Sequence, residues 1–440
     1  MNPFAPKSNA HRPRQDGMAL VLVLLVIAIL SFLGIAGTRS AQTELQMSQK
    51  DMAGRQALGA AEAGINHAYS LIKNNLANRM TFAGACTQCA FDNELSGSGT
   101  GGTLASIGST ATLGSQTYRY SAFGGGTTGG YYVQAADNYD ETTGANNGAF
   151  DRDTRIYLVS RGHVGTAERV VTALVSGSSL FPYGIFSKTT ITMSGGSILD
   201  SFDSRDGAYN AATAGSGANI RANGQITLTG GSTTVKGDAT TSLSTMTAPP
   251  APAGVTGTET FNAPALTPAS VPACGPPYSS GTGITPASVY NSGTGALNIQ
   301  GGNTGTLAGG TYCFSTITLG GGGILSVSSS VNLYVTGEAK LSGGSISNTT
   351  LNASNLKLFS SYNAPGDVNG VTVSGGTQAY MAVYAPQTEV TLSGSTSSFY
   401  GSVIASGVIP QGGVKVHYDQ SLAAVLGPGA TLSAWHEVRN

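Results

Sequence analysis

Hard oxygen donors cluster once in this chain. Asp137, Asn138, Asp140, Glu141, Asp151 and Asp153 fall within 17 residues, on a stretch loosened by Gly144. Calcium accepts such ligands from a flexible loop. The spacing is not that of an EF-hand, and a solvated acidic loop is the alternative. Ca2+ here would pin the loop and would not catalyse. The chain has four cysteines. Cys86 and Cys89 are close enough for a tight local bridge, leaving Cys274 and Cys313 as the remaining pair; spacing alone does not fix the connectivity. Redox work at Cys86-Thr-Gln-Cys89 calls for a thioredoxin-like context, and zinc calls for a second nearby CxxC; the sequence offers neither. A third group, Asp200, Asp203 and Asp206 with His417 and Asp419, raises glycan cleavage, which needs two carboxylates at a defined separation. Aspartates at turns more often bind their own backbone, so no catalytic residue is assigned and the chain is read as a non-enzyme.

These residues must be positioned by elements of two kinds. Gly17 to Thr38 is a run of 22 residues without charge, preceded by Lys7, Arg12 and Arg14. At about 1.5 Å per residue it is long enough to cross a bilayer, and the basic flank holds its start on the cytoplasmic side. Helix-forming residues without proline continue to Asn78, so one helix of about sixty residues is expected. A seam of Leu58, Ala61, Ile65, Ala68 and Ile72 runs along its second half, crowded by small residues that would let a neighbour come close. With Leu22 in the apolar half and Glu62 at the seam's edge, these form the helix-packing set. Beyond it, 117–122, 131–135, 155–161 and 169–175 read as antiparallel strands.

From Leu180 onward a short theme recurs: Ile191-Thr-Met-Ser-Gly-Gly, Ile226-Thr-Leu-Thr-Gly-Gly, Ile317-Thr-Leu-Gly-Gly, Val371-Thr-Val-Ser-Gly-Gly and Val390-Thr-Leu-Ser-Gly. Alternate apolar residues face inward and Gly-Gly turns the corner, the pattern of stacked coils. The fold expected is therefore α+β followed by an all-β solenoid, a right-handed β-helix in form. Its parts are a leader at 1–17, the helix at 18–78, a β region at 79–178, the solenoid at 179–426 with a proline-rich insertion at 246–286, and a tail at 427–440. Charged residues make up 10% of the chain and the net charge is -1, which gives no electrostatic case for nucleic acid.

The basic leader ending in Gly17, the apolar helix beginning at once, and Ala60-Ala61-Glu62-Ala63-Gly64-Ile65 together resemble the PilX N-terminal family of type IV pilus assembly proteins, which are minor pilins. The resemblance implies cleavage by a prepilin peptidase between Gly17 and Met18. It further implies partnership with other major and minor pilins and with inner-membrane assembly machinery, and residence first in the inner membrane, then on the pilus surface. Major pilins carry a glutamate at the fifth mature position, where this chain has Leu22. A chain without that carboxylate suits the fibre tip or initiation. The segments 199–207, 384–394, 400–406 and 416–419 resemble a poorly characterised module joined to PilX-like N-termini. The Ser/Thr/Asn-rich solenoid faces suit adhesion to surface glycans or cells, and a membrane-anchored envelope adhesin outside any pilus is the alternative.

Overall fold

The computed structural model describes residues 16–80, 91–123, 128–138, 151–250, 253–363, 370–374, 378–394 and 398–438. One helix, Asp16–Ala77, runs for 62 residues, about 93 Å at the α-helical rise. Its two halves live in different surroundings. From Met18 to Met52 the side chains are exposed, and from Gly54 onward one stripe is buried. That stripe, Ala57, Ala61, Ile65, Ala68, Ile72 and Leu76, lies on a sheet with Val133, Ile156, Leu158, Val171 and Val175.

The sheet is six-stranded and antiparallel, in the order Ser109–Leu113, Gln116–Ala122, Gly129–Asp137, Arg155–Val164, Ala167–Ser179, Leu426–Val438. The expected strands at 117–122, 131–135, 155–161 and 169–175 all lie within observed ones. The hairpin joining the fourth and fifth turns at Gly165, whose φ of 58° a glycine adopts without cost. The sixth strand is the surprise. Residues 427–440 read as a tail in the sequence, yet Leu426–Val438 pairs with the fifth strand from Leu426↔Ser179 to Val438↔Val170. Its signal was hidden by Gly427-Pro428-Gly429 at its start and by register shifts between Leu426 and Ala430 and between Ser433 and His436, which break the two-residue alternation.

The solenoid is therefore inserted between neighbouring strands of the sheet. It has about nine turns, built from parallel ladders. The stacking order does not follow the sequence. Ile185–Ser187, Ile220–Ala222 and Ala239–Thr241 climb away in succession. The chain then begins again at the far end, where Gly310–Phe314, Val331–Val335 and Leu356–Ser360 stack in order and the ladder continues into Ala379–Ser393 and Ser398–Gln411. The second run ends against the first: Val403–Ala405 pairs with Ile185–Ser187, and Lys415–Asp419 pairs with Ile198–Phe202.

The proline-rich segment makes this order possible. It was expected to interrupt the solenoid over 246–286, but Gly254–Val255 still belong to the third coil, and Glu259–Thr260 stack on that coil's Ala239–Thr240. Past Thr260 it becomes a strap along the outside. Arg221 holds it by donating to Pro264 O at 2.5 Å, Asn223 pairs with Leu266, and the Tyr384 hydroxyl donates to Ala269 O at 2.9 Å. The strap is finally bonded to the far coil through Cys274–Cys313. Proline suits an extended strap that needs no ladder donors. The disulfide closes a loop of 39 residues, and a link of that size contributes about 3–4 kcal/mol in the loop-entropy model.

The helix meets the sheet most closely at Gly162. A Cβ there would lie 2.0 Å from Ala57 O and 2.3 Å from Ala61 N. Gly64 answers from the helix, where a Cβ would lie 2.3 Å from the Ser160 hydroxyl. Gly162→Val should force helix and sheet apart and destabilise the N-terminal module by about 2 kcal/mol or more. Urea unfolding followed by a probe on the helix–sheet module checks this, and an unchanged midpoint contradicts it.

Candidate functional site: the apolar helix and its seam

The structure brings most of the expected helix-packing set to one face. Ala61, Ile65, Ala68 and Ile72 are buried on the sheet, while Leu58 and Glu62 are half-buried at its edge. Leu22 stands apart on the exposed half of the helix. Sequence reasoning picked out the small residues of the seam but not their partner Gly162, whose role depends on a strand distant in sequence. It also missed the polar rivets along the seam. His67 Nδ1 bonds the Tyr131 hydroxyl at 2.5 Å, and the Tyr69 hydroxyl donates to Ala430 O at 2.8 Å.

The free half is different in kind. Met18, Leu22, Leu30, Phe32 and Leu33 are 60–77% exposed. This is the one helix, among the described residues, long and apolar enough to cross a membrane. An apolar rod of this length is stable only in lipid or against other apolar helices. Gly17 and Met18 both lie in the first turns of this helix.

Two sequence families match the chain. Residues 16–66 match the PilX N-terminal family. The N-terminal helix is PilX-like. Residues 316–425 match a domain of unknown function, DUF7305, which covers most of the second solenoid run. No functionally curated protein matches the chain. Among solved structures, the competence-associated pilin ComZ from Thermus thermophilus is 14% identical, with 88% of this chain and 97% of that chain covered at a TM-score of 0.26. A glycosylated ice-binding protein from an Arctic yeast is 18% identical, with 55% of this chain and 94% of that chain covered at a TM-score of 0.25. Overlaps this low carry no argument about this chain. The PilX match over 16–66 lies within the long helix Asp16–Ala77.

The described acids at the end of this stretch, Asp151 and Asp153, are put to structural use. Asp151 is buried and accepts backbone N–H groups on both oxygens: Thr154 at 2.8 Å and Asp153 at 3.1 Å on Oδ1, and Phe91 at 3.0 Å on Oδ2. Asp153 accepts from Asn138 at 3.0 Å and from Arg155 N at 2.9 Å. Asp137 is buried in its strand. No group of three metal-ligating side chains converges among the described residues; Asp140 and Glu141 lie outside them. So do Cys86 and Cys89, and residues 1–15 of the expected leader.

The solenoid carboxylates are likewise engaged. Asp203 forms a two-pronged bridge with Arg205, at 2.9 Å to Nε and 2.6 Å to Nη2. Asp206 meets Arg152 at 3.5 Å. Asp200 holds His417 Nδ1 at 2.5 Å and accepts from the Tyr209 hydroxyl at 3.0 Å. His417 continues an aromatic column in which Tyr380 and Tyr400 stack at 4.2 Å and Tyr400 lies 4.8 Å from the imidazole. A cavity of about 380 Å³ opens between the strap and the sheet junction, lined by Leu180, Tyr183, Phe186, Leu266, Tyr384 and Pro428. None of the candidate acids lines it.

Burial pushes the Asp151 carboxyl up to about 8, with the neighbouring Asp153 charge adding to the rise and the N–H groups of Phe91 and Arg155 opposing it. The unfolded chain releases this proton near the ordinary carboxylate value, about 3.9. Between about pH 4 and about pH 8 the folded state therefore binds the extra proton, and stability falls as pH rises. One proton's difference gives a slope of at most about 1.4 kcal/mol per pH unit. Asp151→Asn should flatten the pH dependence of unfolding across this window. Parallel slopes in variant and wild type would refute the assignment.

Proposed function

We propose that the chain is a minor-pilin-like subunit of a type IV pilus. A prepilin peptidase removes residues 1–17, the helix from Met18 holds the subunit in the inner membrane, and the same helix then packs among other pilins in the fibre. One observation carries this reading: a single helix is seated on its own sheet from Gly54 onward and is exposed and apolar from Met18 to Ile35. The PilX match over 16–66 covers both halves. Leu22 offers no carboxylate for a terminal amine of the preceding subunit, which favours a place at the tip or in initiation.

The solenoid is the displayed part, and adhesion to surface glycans or cells is the role it suits. One of its ladders turns a column of polar side chains outward, Asn298, Thr318, Lys340, Thr372 and Thr391 in successive coils; Ile409 breaks it at the next coil, and Thr192 with Thr227 pair beyond that break in the first run. Glu338 and Lys340 neutralise each other there at 2.5 Å. Hydroxyls on a rigid sheet offer repeated hydrogen bonds to a neutral polyhydroxylated surface, each weak and useful through number.

Mass spectrometry of sheared pili should yield a peptide beginning at Met18. A mature chain that retains residues 1–17 and stays in the membrane fraction would instead favour the anchored envelope adhesin. For adhesion, Thr318→Glu with Thr372→Glu should leave pilus number unchanged and reduce attachment several-fold, because two hydroxyls of the ladder are replaced by carboxylates that would have to be desolvated against a neutral polyhydroxylated surface. Equal attachment by the double variant would remove that face from consideration.

A further inference from the structure

The last part of the chain is built into both modules. The second solenoid run touches the first through residues 398–419, where Val403–Ala405 pairs with Ile185–Ser187 and Lys415–Asp419 with Ile198–Phe202. Asp419 fastens this joint. It is fully buried, and its Oδ1 accepts from Ser204 N at 3.0 Å and Ser421 N at 3.1 Å, while Oδ2 accepts from Ala353 N at 3.1 Å. One carboxylate thus ties the loop after the first coil to a turn of the second run. Only a few residues on, Leu422 and Val425 are buried in the solenoid core, and Leu180 N donates to Val425 O at 2.7 Å. The next residue, Leu426, opens the sixth strand of the sheet and is buried against the core under the long helix. That strand reaches the helix itself through Ala430 O and the Tyr69 hydroxyl.

There is no slack between these contacts. We propose that residues 415–438 are a completion element, through which the edge of the helix–sheet module closes only when the two solenoid runs are joined. Both contacts bridge long sequence separations, so each carries a large ordering cost that is met only once the rest of the chain is in place. A strand tethered so tightly to the joint loses its partner when the joint opens. The consequence for a pilus, that only a chain with a finished solenoid presents a finished pilin module, rests on the reading proposed above; the coupling itself does not.

Native-state hydrogen exchange on the full chain in detergent micelles tests the coupling. Asp419→Ala should speed exchange of the amides in 398–419 and, in concert, of those in 426–438 and the amides of 167–179 bonded to them, by about tenfold or more. Adding a Gly/Ser insertion of about twelve residues between Ala423 and Ala424 to the same variant supplies the missing slack. It should return 426–438 and its partner amides in 167–179 to near wild-type exchange while 398–419 stays fast. If Asp419→Ala does not fold, Asp419→Asn, which keeps one acceptor oxygen, is measured in the same way. Fast exchange in 398–419 with wild-type exchange in 426–438 and its partner amides in 167–179, without the insertion, overturns the proposal. Absence of the wild-type chain from purified pili would overturn the pilin reading and leave the coupling intact.

Discussion

Leu426 pairs with Ser179, and that one register governs how the solenoid must be wound. The chain leaves the sheet and has to come back beside the point where it left. A solenoid wound in sequence order cannot do this, because nine or so turns spaced by about 4.8 Å put its two ends some 40 Å apart. The chain solves the problem by climbing for three coils, crossing the whole stack on the outside, and winding back until it meets its own first coil. Seen this way, the strap, its prolines and the bond from Cys274 to Cys313 are consequences of the insertion. A strap that carries the chain past every coil must stay extended and must be held at its far end, or the second run has no fixed place to start.

The N-terminal module is governed by a different constraint, closeness. Gly64 and Gly162 let helix and sheet approach until a single added carbon would collide, with the helix backbone at Gly162 and with the Ser160 and Tyr131 side chains at Gly64. This fixes half of the helix firmly and leaves the other half with nothing of its own to pack against. Burying the upper stripe and exposing the lower one are therefore two aspects of one design. The seated half sets the angle at which the free half projects, and whatever surrounds the free half meets a helix already oriented.

Much of this was legible in the residues. The apolar run at 17–38, the seam of small residues and the Ile-Thr-Leu-Ser-Gly-Gly theme each encode structure through local periodicity, and each produced the element expected of it. What local periodicity could not carry was pairing. The coil repeats reveal a solenoid but not the order of its coils, since each repeat is nearly interchangeable with the next. Residues 427–438 lacked alternation because bulges interrupt it, and so passed for a tail. Asp151 and Asp419 looked like a ligand and a catalyst because a carboxylate's chemistry is visible in sequence while its backbone partners are not. Phe91, Ser204 and Ala353 are far from them along the chain, and it is these partners that turn the acids into clasps.

The double connection also determines what kind of display the solenoid gives. A domain hung on a single linker swivels, and its binding face samples many directions. Here the solenoid is held by two adjacent strands, Ala167–Ser179 and Leu426–Val438, and by a third contact in which Arg205 donates to Arg152 O at 3.2 Å and Arg152 meets Asp206 at 3.5 Å. Three separate attachments restrict the swivel that a single linker allows. Exposed ion pairs of this sort add little stability, so the contribution of Arg152 is to orientation more than to folding energy. The long helix, the sheet and the stacked coils then form one continuous stiff body, in which the direction of the apolar rod fixes the direction faced by the hydroxyl ladder.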